Sequence, residues 1–339
     1  MISVRPDDLS ARLAAFLSSV SGTPAAIIAM QPIAGGASRE TWALDAEIGG
    51  MHAALVLRMD LASSMNPDAL SRPQEFALLA AAHAAGVLAP RPRWLDAEGA
   101  ALGRPFLLMD RVAGESIGPR VVRKPELAVA RARLPQQMAA QLARIHAIDP
   151  ARLDFLPRPS AGRSPALHAL DRTRHAIDAI GLHNPALEFG LRWLEQRAPA
   201  CDQPALIHGD FRIGNLLVGP EGLNAVIDWE FAHIGDPHED LAWPCVRDWR
   251  FGNDALRVGG VGDLAPYLAA YESTTGRAID RAALRWWEII GNLRWAATCH
   301  VQAQRHLSGA DPSVELASLG RRAAEMELEL LSLIEASYL

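Results

Sequence analysis

The chain has 339 residues, half of them hydrophobic and 21% charged, with a formal net charge of −6. That length permits two modest domains with a sizeable core. The acidic balance gives no electrostatic footprint for nucleic acid or an anionic membrane, and no run of 18 uncharged apolar residues exists to cross a bilayer.

Lys124 is the sole lysine, so nearly all positive charge is arginine. Cys201, Cys245 and Cys299 are far apart and lack metal-ligand spacing, which suits buried thiols in a reducing compartment. The N-terminus has no secretory pattern, and the expectation is a cytoplasmic protein with no obligate protein partner.

Asp7 or Asp8 is placed to cap a first helix, with Leu9, Leu13, Phe16 and Leu17 at helical spacing. Ile27 to Asp60 reads as antiparallel strands. Trp42–Glu47 and Ala53–Met59 flank a hairpin turn at Gly49-Gly50. Gly35, Gly36 and Ser38 lie between the first two strands, where a glycine turn lets backbone amides approach phosphates. Alone, such a pair reads as a turn. Arg58 lies within the strand Ala53–Met59, where alone it reads as an exposed strand arginine. Ser71-Arg72-Pro73-Gln74 has the form of a helix start, Glu75 falls in its first turn, and Gly86 ends the helix. Two further strands, Pro90–Leu95 and Pro105–Arg111, surround a turn at Glu98-Gly99, and the pattern becomes helical from Ser116. Pro135–His146 is amphipathic, His146 reads as a packed residue, and Asn184-Pro185 opens a later helix.

The most informative stretch is Leu206 to Glu230, LIHGDFRIGNLLVGPEGLNAVIDWE. Apolar runs bounded by turn residues read as short buried strands, with Gly219-Pro220-Glu221-Gly222 as a hairpin turn. Asp210 and Asn215 enter that hairpin and Asp228 leaves it. Three oxygen-bearing side chains separated in sequence can thus converge. An Asp, then an Asn five positions on, then a later Asp is the order used in phosphoryl transfer by protein kinases. Taken singly, each residue reads more readily as a turn or cap; the set in this order and hairpin context favours phosphoryl transfer. Beyond it, helices are expected over Leu264–Thr274, Arg281–Leu307 with Asp280 as cap, and Val314–Ala336.

His208-Gly209-Asp210, Asn215, Ile227-Asp228-Trp229, Gly235-Asp236-Pro237 and Asp240-Leu241-Ala242 together resemble the aminoglycoside phosphotransferase and choline kinase-like family. The resemblance implies an α+β, bilobal, protein-kinase-like fold. Residues 1–110 would form an antiparallel β-sheet N-lobe and 111–339 a mainly helical C-lobe. It implies ATP and Mg²⁺ as cofactors and a small-molecule hydroxyl as phosphate acceptor. Asp210 would be the base, and Asn215 and Asp228 the metal ligands. Gly35, Gly36 and Ser38 would cover the nucleotide phosphates, and Arg58, paired with Glu75, would hold them. Backbone groups from Met109 to Arg111 would meet adenine. Arg39 follows Ser38 where the family often has Asn. Asp236 and Asp240 would hold the catalytic loop. Trp243, Trp249, Trp286, Trp287 and Trp295 read chiefly as core. Glu230, Glu239, Asp248, Asp263 and Glu288 are interspersed with arginines, so no acidic wall for a polycation is evident. Within the family the chain is similar to the kinase-like domains attached to some acyl-CoA dehydrogenases, a branch associated with hydroxyacyl-CoA phosphorylation. An aminoglycoside kinase, a nucleotide-binding regulator without catalysis, and a metal hydrolase using His208 and Asp210 are the alternatives.

Overall fold

The computed structural model describes residues 6–33, 39–60 and 69–338. Two compact units emerge. The first comprises the chain to Gly114 plus Asn224–Phe231, and the second Glu115–Leu223 plus Ala232 onward. A simple division at residue 110 is therefore replaced by one in which the segment bearing Asp228 joins the first unit. Hydrogen bonds explain this: Val226 N–H donates to Leu88 O at 2.6 Å and Leu70 N–H to Glu230 O at 2.8 Å.

The first unit opens with α1 (Pro6–Ser21), followed by β1 (Ala25–Pro32), β2 (Arg39–Ile48) and β3 (Met51–Asp60). Then come α2 (Arg72–Ala84), β4 (Pro92–Asp96) and β5 (Phe106–Asp110). Helix α1 starts at Pro6, so Asp7 and Asp8 sit in its first turn and do not precede it. The sheet order is β1-β2-β3-β5-β4, with every pair antiparallel. Gly49 and Gly50, both at positive φ, make the tight β2–β3 turn. Leu9, Leu13 and Leu17 of α1 pack on Leu44, Leu55, Leu57, Met59 and Phe106. Strand alternation then turns Arg58 to the opposite face from Leu57 and Met59. Helix α2 carries the expected start: Ser71 N–H donates to Gln74 Oε1 at 2.9 Å.

The second unit contains α3 (Gly118–Arg123), α4 (Ala128–His146), α5 (Pro165–Ala179), α6 (Pro185–Gln196), β6 (Ala205–Ile207) and β7 (Leu216–Gly219). The division falls within β8 (Gly222–Val226), which forms a two-stranded sheet with β7. Strand β9 (His233–Gly235) pairs antiparallel with β6 and leads into α7 (Pro237–Ala242). The long helices α8 (Leu264–Thr275), α9 (Arg281–Leu307) and α10 (Val314–Glu335) complete it. Helix α4 begins seven residues before the expected Pro135, which lies inside it. Burial of Ala130 and Leu134 on the face that also carries Met138 and Leu142 outweighs the lost Pro135 N–H. No helix among the described residues is long and apolar enough to cross a membrane.

Candidate active site

In the first unit, β3 presents Arg58 to α2. Its Nη1 lies 3.1 Å from Glu75 Oε1, and its Nη2 donates to Asp228 Oδ1 at 2.8 Å. Glu75 is fully buried and also pairs with Arg72, which in turn reaches Asp60 Oδ1 at 3.1 Å. Burial works against charge on Arg58, but Glu75, Asp228 and Glu230 outweigh it and raise its pKa further. Asp228 takes a left-handed conformation, φ 67°, uncommon for a residue other than glycine. Arg58, Glu75, Met109 and Asp228 also line one recess together with Leu79, Pro90, Ile227 and Trp229.

The strand end expected to meet adenine is committed in part to the sheet. Met109 is buried on β5 opposite Val56 and Pro92. The Asp110 amide donates to Arg91 O and the Arg111 amide to Ala54 O, so neither N–H is open to a base. The Arg111 side chain is held by both oxygens of Asp45. Gly35, Gly36 and Ser38, with Arg39's side chain, lie outside the described residues.

In the second unit, Asp210 and Asn215 are brought together. Asn215 Nδ2 donates to Asp210 Oδ2 at 2.6 Å and to its carbonyl at 2.9 Å. Asp210 Oδ1 accepts from Trp243 Nε1 at 2.6 Å and from Arg212 Nε at 3.1 Å. Orienting Asn215 Nδ2 toward Asp210 leaves Asn215 Oδ1 with no protein partner among the described residues. Gly214, at φ 118°, permits this loop: a Cβ there would lie 2.2 Å from Arg212 Nη1.

The loop is fixed from below. Asp240, with no exposed surface, accepts from the His208 amide at 2.7 Å and the Gly209 amide at 3.0 Å. Its Oδ2 also lies 3.3 Å from His146 Nε2, and His146 Nδ1 bonds the Tyr271 hydroxyl. Burial pushes the Asp240 pKa up, but the bonds to His146 and the His208 amide leave it lowered on balance. Asp236 caps α7 by accepting from the His238 amide at 3.0 Å and receives the Trp287 indole N–H at 3.0 Å. Both aspartates hold structure, as their sequence positions implied. The tryptophans are chiefly buried, yet Trp243 also reaches Asp210, a role that composition gave no sign of. Arg72 was missed as well; its spacing of three from Glu75 on α2 was the available signal. His208 is buried with Nδ1 taken by the Asp210 amide, and no group of three His, Cys, Asp or Glu among the described residues is disposed to hold a metal. The metal-hydrolase alternative finds no support there.

The phosphotransferase enzyme family profile matches residues 29–287, and the chain belongs to that family. A mouse protein, acyl-CoA dehydrogenase family member 10, is 30% identical over 200 residues, covering 57% of this chain and 18% of its own length. Chicken acyl-CoA dehydrogenase family member 11 is 27% identical over 328 residues, covering 91% of this chain and 41% of its own. The chain thus spans less than half the length of these curated relatives. Among solved structures, a Ralstonia eutropha protein assigned to the aminoglycoside phosphotransferases superposes with a TM-score of 0.76 at 21% identity, over 96% of this chain and 98% of that one. Aminoglycoside 2'-phosphotransferase-IIIa, solved with GDP, gives 0.61 at 16% identity, over 95% and 98%. These likenesses establish a protein-kinase-like fold with an antiparallel N-terminal sheet and a helical C-terminal part.

Proposed function

We propose that the chain catalyses Mg-ATP-dependent phosphorylation of a hydroxyl group on a small molecule. The observation that carries this is the Asp210–Asn215 pair. A carboxylate is held by three donors on a loop pinned by Asp240, and an amide oxygen is left open beside it. Asp210 would orient the acceptor hydroxyl and take its proton. Arg58, braced by Glu75 and Arg72, would hold nucleotide phosphates through a guanidinium that is charged at any working pH. The turn at Gly35, Gly36 and Ser38 would cover those phosphates, and the stretch from Met109 to Arg111 would face adenine through groups other than the two amides spent in the sheet.

Asn215 Oδ1 and the Asp228 carboxylate are hard oxygen donors of the kind Mg²⁺ selects, so the residues fit the metal. When bound there, Mg²⁺ would supply positive charge that offsets the charge of the phosphates. Most of the acceleration would come from positioning and electrostatics supplied by these side chains. Three unpaired cysteines suit a reducing compartment, and we read the enzyme as cytoplasmic.

The curated relatives are named as acyl-CoA dehydrogenase family members, which supports including hydroxyacyl-CoA thioesters in the acceptor panel with aminoglycosides, amino alcohols and sugars. The test is ATP consumption with Mg²⁺ across that panel for the wild type and Asp210→Asn. Acceptor-dependent turnover that falls by orders of magnitude in the variant, with nucleotide binding spared, is expected. Undiminished turnover in Asp210→Asn would remove the base from the scheme.

A further inference from the structure

Two ion pairs of the second unit are layered. Arg294 Nη1 donates to Glu239 at 3.2 Å; the guanidinium is 36% exposed and the carboxylate 7%. Arg257 pairs with Glu288, 36% against 3%. In each pair the acid lies underneath and the arginine faces out. Glu239 is kept ionised: burial opposes this, but His233 and Arg294 lower its pKa on balance. A polycation approaching this surface would meet guanidiniums first.

Two arginines connect to Asp210, Arg212 directly and Arg294 through an indole. Arg212 donates Nε to Asp210 Oδ1, gives Nη1 to Ile213 O, and lays its guanidinium 4.2 Å over the Trp249 ring. Arg294 lies 4.0 Å over the Trp243 ring, whose indole N–H bonds the same Asp210 oxygen. The two indoles are 5.6 Å apart. Arg212 retains Nη2, and Arg294 retains Nε and Nη2, without partners among the described residues. Both guanidiniums therefore keep donors to spend, in planar forks suited to carboxylate or phosphate. Arg294 and Trp243 also line a recess with Thr173 of α5, Trp287 of α9 and Glu239, the carboxylate that Arg294 already pairs with. Arg322 is a different case, because Glu325 reaches it at 3.6 Å and is half exposed.

We infer that the acceptor is a hydroxyl compound carrying an anionic group, a carboxylate or a phosphate, and that Arg212 and Arg294 bind that group while the hydroxyl sits at Asp210. This rests on the kinase reading of Asp210 and adds the acceptor's charge. Stacked on Trp243 and bonded to Glu239, Arg294 is restrained, so little rotamer entropy is lost when it binds an anion. Phosphoryl transfer leaves both guanidiniums charged and unaltered: the hydroxyl proton goes to Asp210, the hydroxyl oxygen bonds the γ-phosphorus, the bond from that phosphorus to the β,γ-bridging oxygen breaks, and ADP leaves.

The test separates the two layers. Slow Mg-ATP hydrolysis that Asp210→Asn abolishes checks the kinase reading without any acceptor. Acceptors are then compared by charge: 3-hydroxybutyryl-CoA and glycerol 3-phosphate, gluconate, glucose, and kanamycin. The same compounds are titrated into protein saturated with a non-hydrolysable ATP analogue, so that a missing acceptor leaves a readout. Anionic members are expected to bind or turn over preferentially. Arg294→Gln should raise the acceptor's KM or Kd about tenfold or more with the KM for ATP unchanged, and Arg294→Lys should recover part of the loss. Gluconate against glycerol 3-phosphate distinguishes carboxylate from phosphate. Preference for kanamycin or glucose, no preference at all, or an unchanged anion affinity in Arg294→Gln would each overturn the inference.

Discussion

Replacing Asp240 by Asn isolates what holds the loop that carries Asp210. Asp240 accepts two backbone N–H groups and faces His146, all out of water. Hydrogen bonds to a charged group contribute about 1.5–3 kcal/mol each, and a buried donor left unpaired costs about 1–3 kcal/mol. Asn keeps one acceptor oxygen for one amide, while its NH₂ confronts the other. The worked loss is about 3–4 kcal/mol, or roughly 6–16 °C in Tm at about 2–4 °C per kcal/mol. Freed by even a small shift, Asp210 would lose alignment, and kcat should fall about 10–100-fold. The pH dependence has a definite sign. Asp240's pKa is lowered in the folded state, so its contribution is present above the unfolded value of about 3.9 and lost as pH falls through the folded value. The stability gap between wild type and Asp240→Asn should therefore be full at pH 7 and shrink below about pH 4. Denaturant melts across that range, with kcat at neutral pH, provide the assay. Equal midpoints for the two proteins at pH 7 would refute the assignment of loop-holding to Asp240.

Arg58→Met removes one partner from a buried ion-pair set and should cost about 3–5 kcal/mol in denaturant melts, with nucleotide Kd rising at least about tenfold; Arg58→Lys should restore part of both. Gly214→Ala forces a φ of 118° on a side-chain-bearing residue and pushes against Arg212, so stability should fall by about 1–3 kcal/mol and activity with it. Burial pushes the Cys201 thiol up to about 11 and the Cys299 thiol up to about 12, and raises Cys245 further. Thiol titration with a disulfide reagent at pH 8 should be slow for all three in the folded protein and complete at once after unfolding.

Local signals carried most of the fold. The Ser71–Gln74 start, the Gly49-Gly50 turn, and the caps Asn184 and Asp280 each act within three or four residues, and each lies where its pattern put it. Where tertiary burial decided, the reading slipped. Helix α4 runs through Pro135 because Ala130 and Leu134 pack inside, and no short-range rule sees that burial. The assignment of Asn224–Phe231 to the first unit has the same origin, since its bonds run to Leu88 and Leu70, over a hundred residues away. In the site, Asp210 and Asn215 were legible through spacing. The donors on Asp210 from Trp243 and Arg212 were only half so: Arg212 is a neighbour, whereas Trp243 arrives from another element. Likewise, alternating acids and arginines after Asp228 read as neutral along the chain. Burial separates two pairs of them, with Glu239 beneath Arg294 and Glu288 beneath Arg257.

Charge balance in the first unit bears on the metal. Around Arg58 and Arg72 stand Glu75, Asp228, Asp60 and Glu230, so among the described residues two guanidiniums face four carboxylates. A triphosphate brought to Arg58 would add negative charge in excess of what that guanidinium, already shared by Glu75 and Asp228, can offset. Like charges a few ångströms apart disfavour binding unless a cation intervenes. Magnesium removal with EDTA should therefore weaken ATP binding at least about tenfold, because the divalent ion supplies charge that Arg58 alone does not. Asp228→Asn sharpens the argument, for it removes one carboxylate while keeping a residue type that tolerates φ 67°. Catalysis should be lost, yet metal-free ATP should bind this variant more tightly than the wild type. Calorimetric titration of both proteins in EDTA measures the difference directly. Weaker metal-free binding by Asp228→Asn would mean that Asp228 serves the phosphates mainly by holding Arg58 in place, and the excess-charge account of the metal requirement would fail.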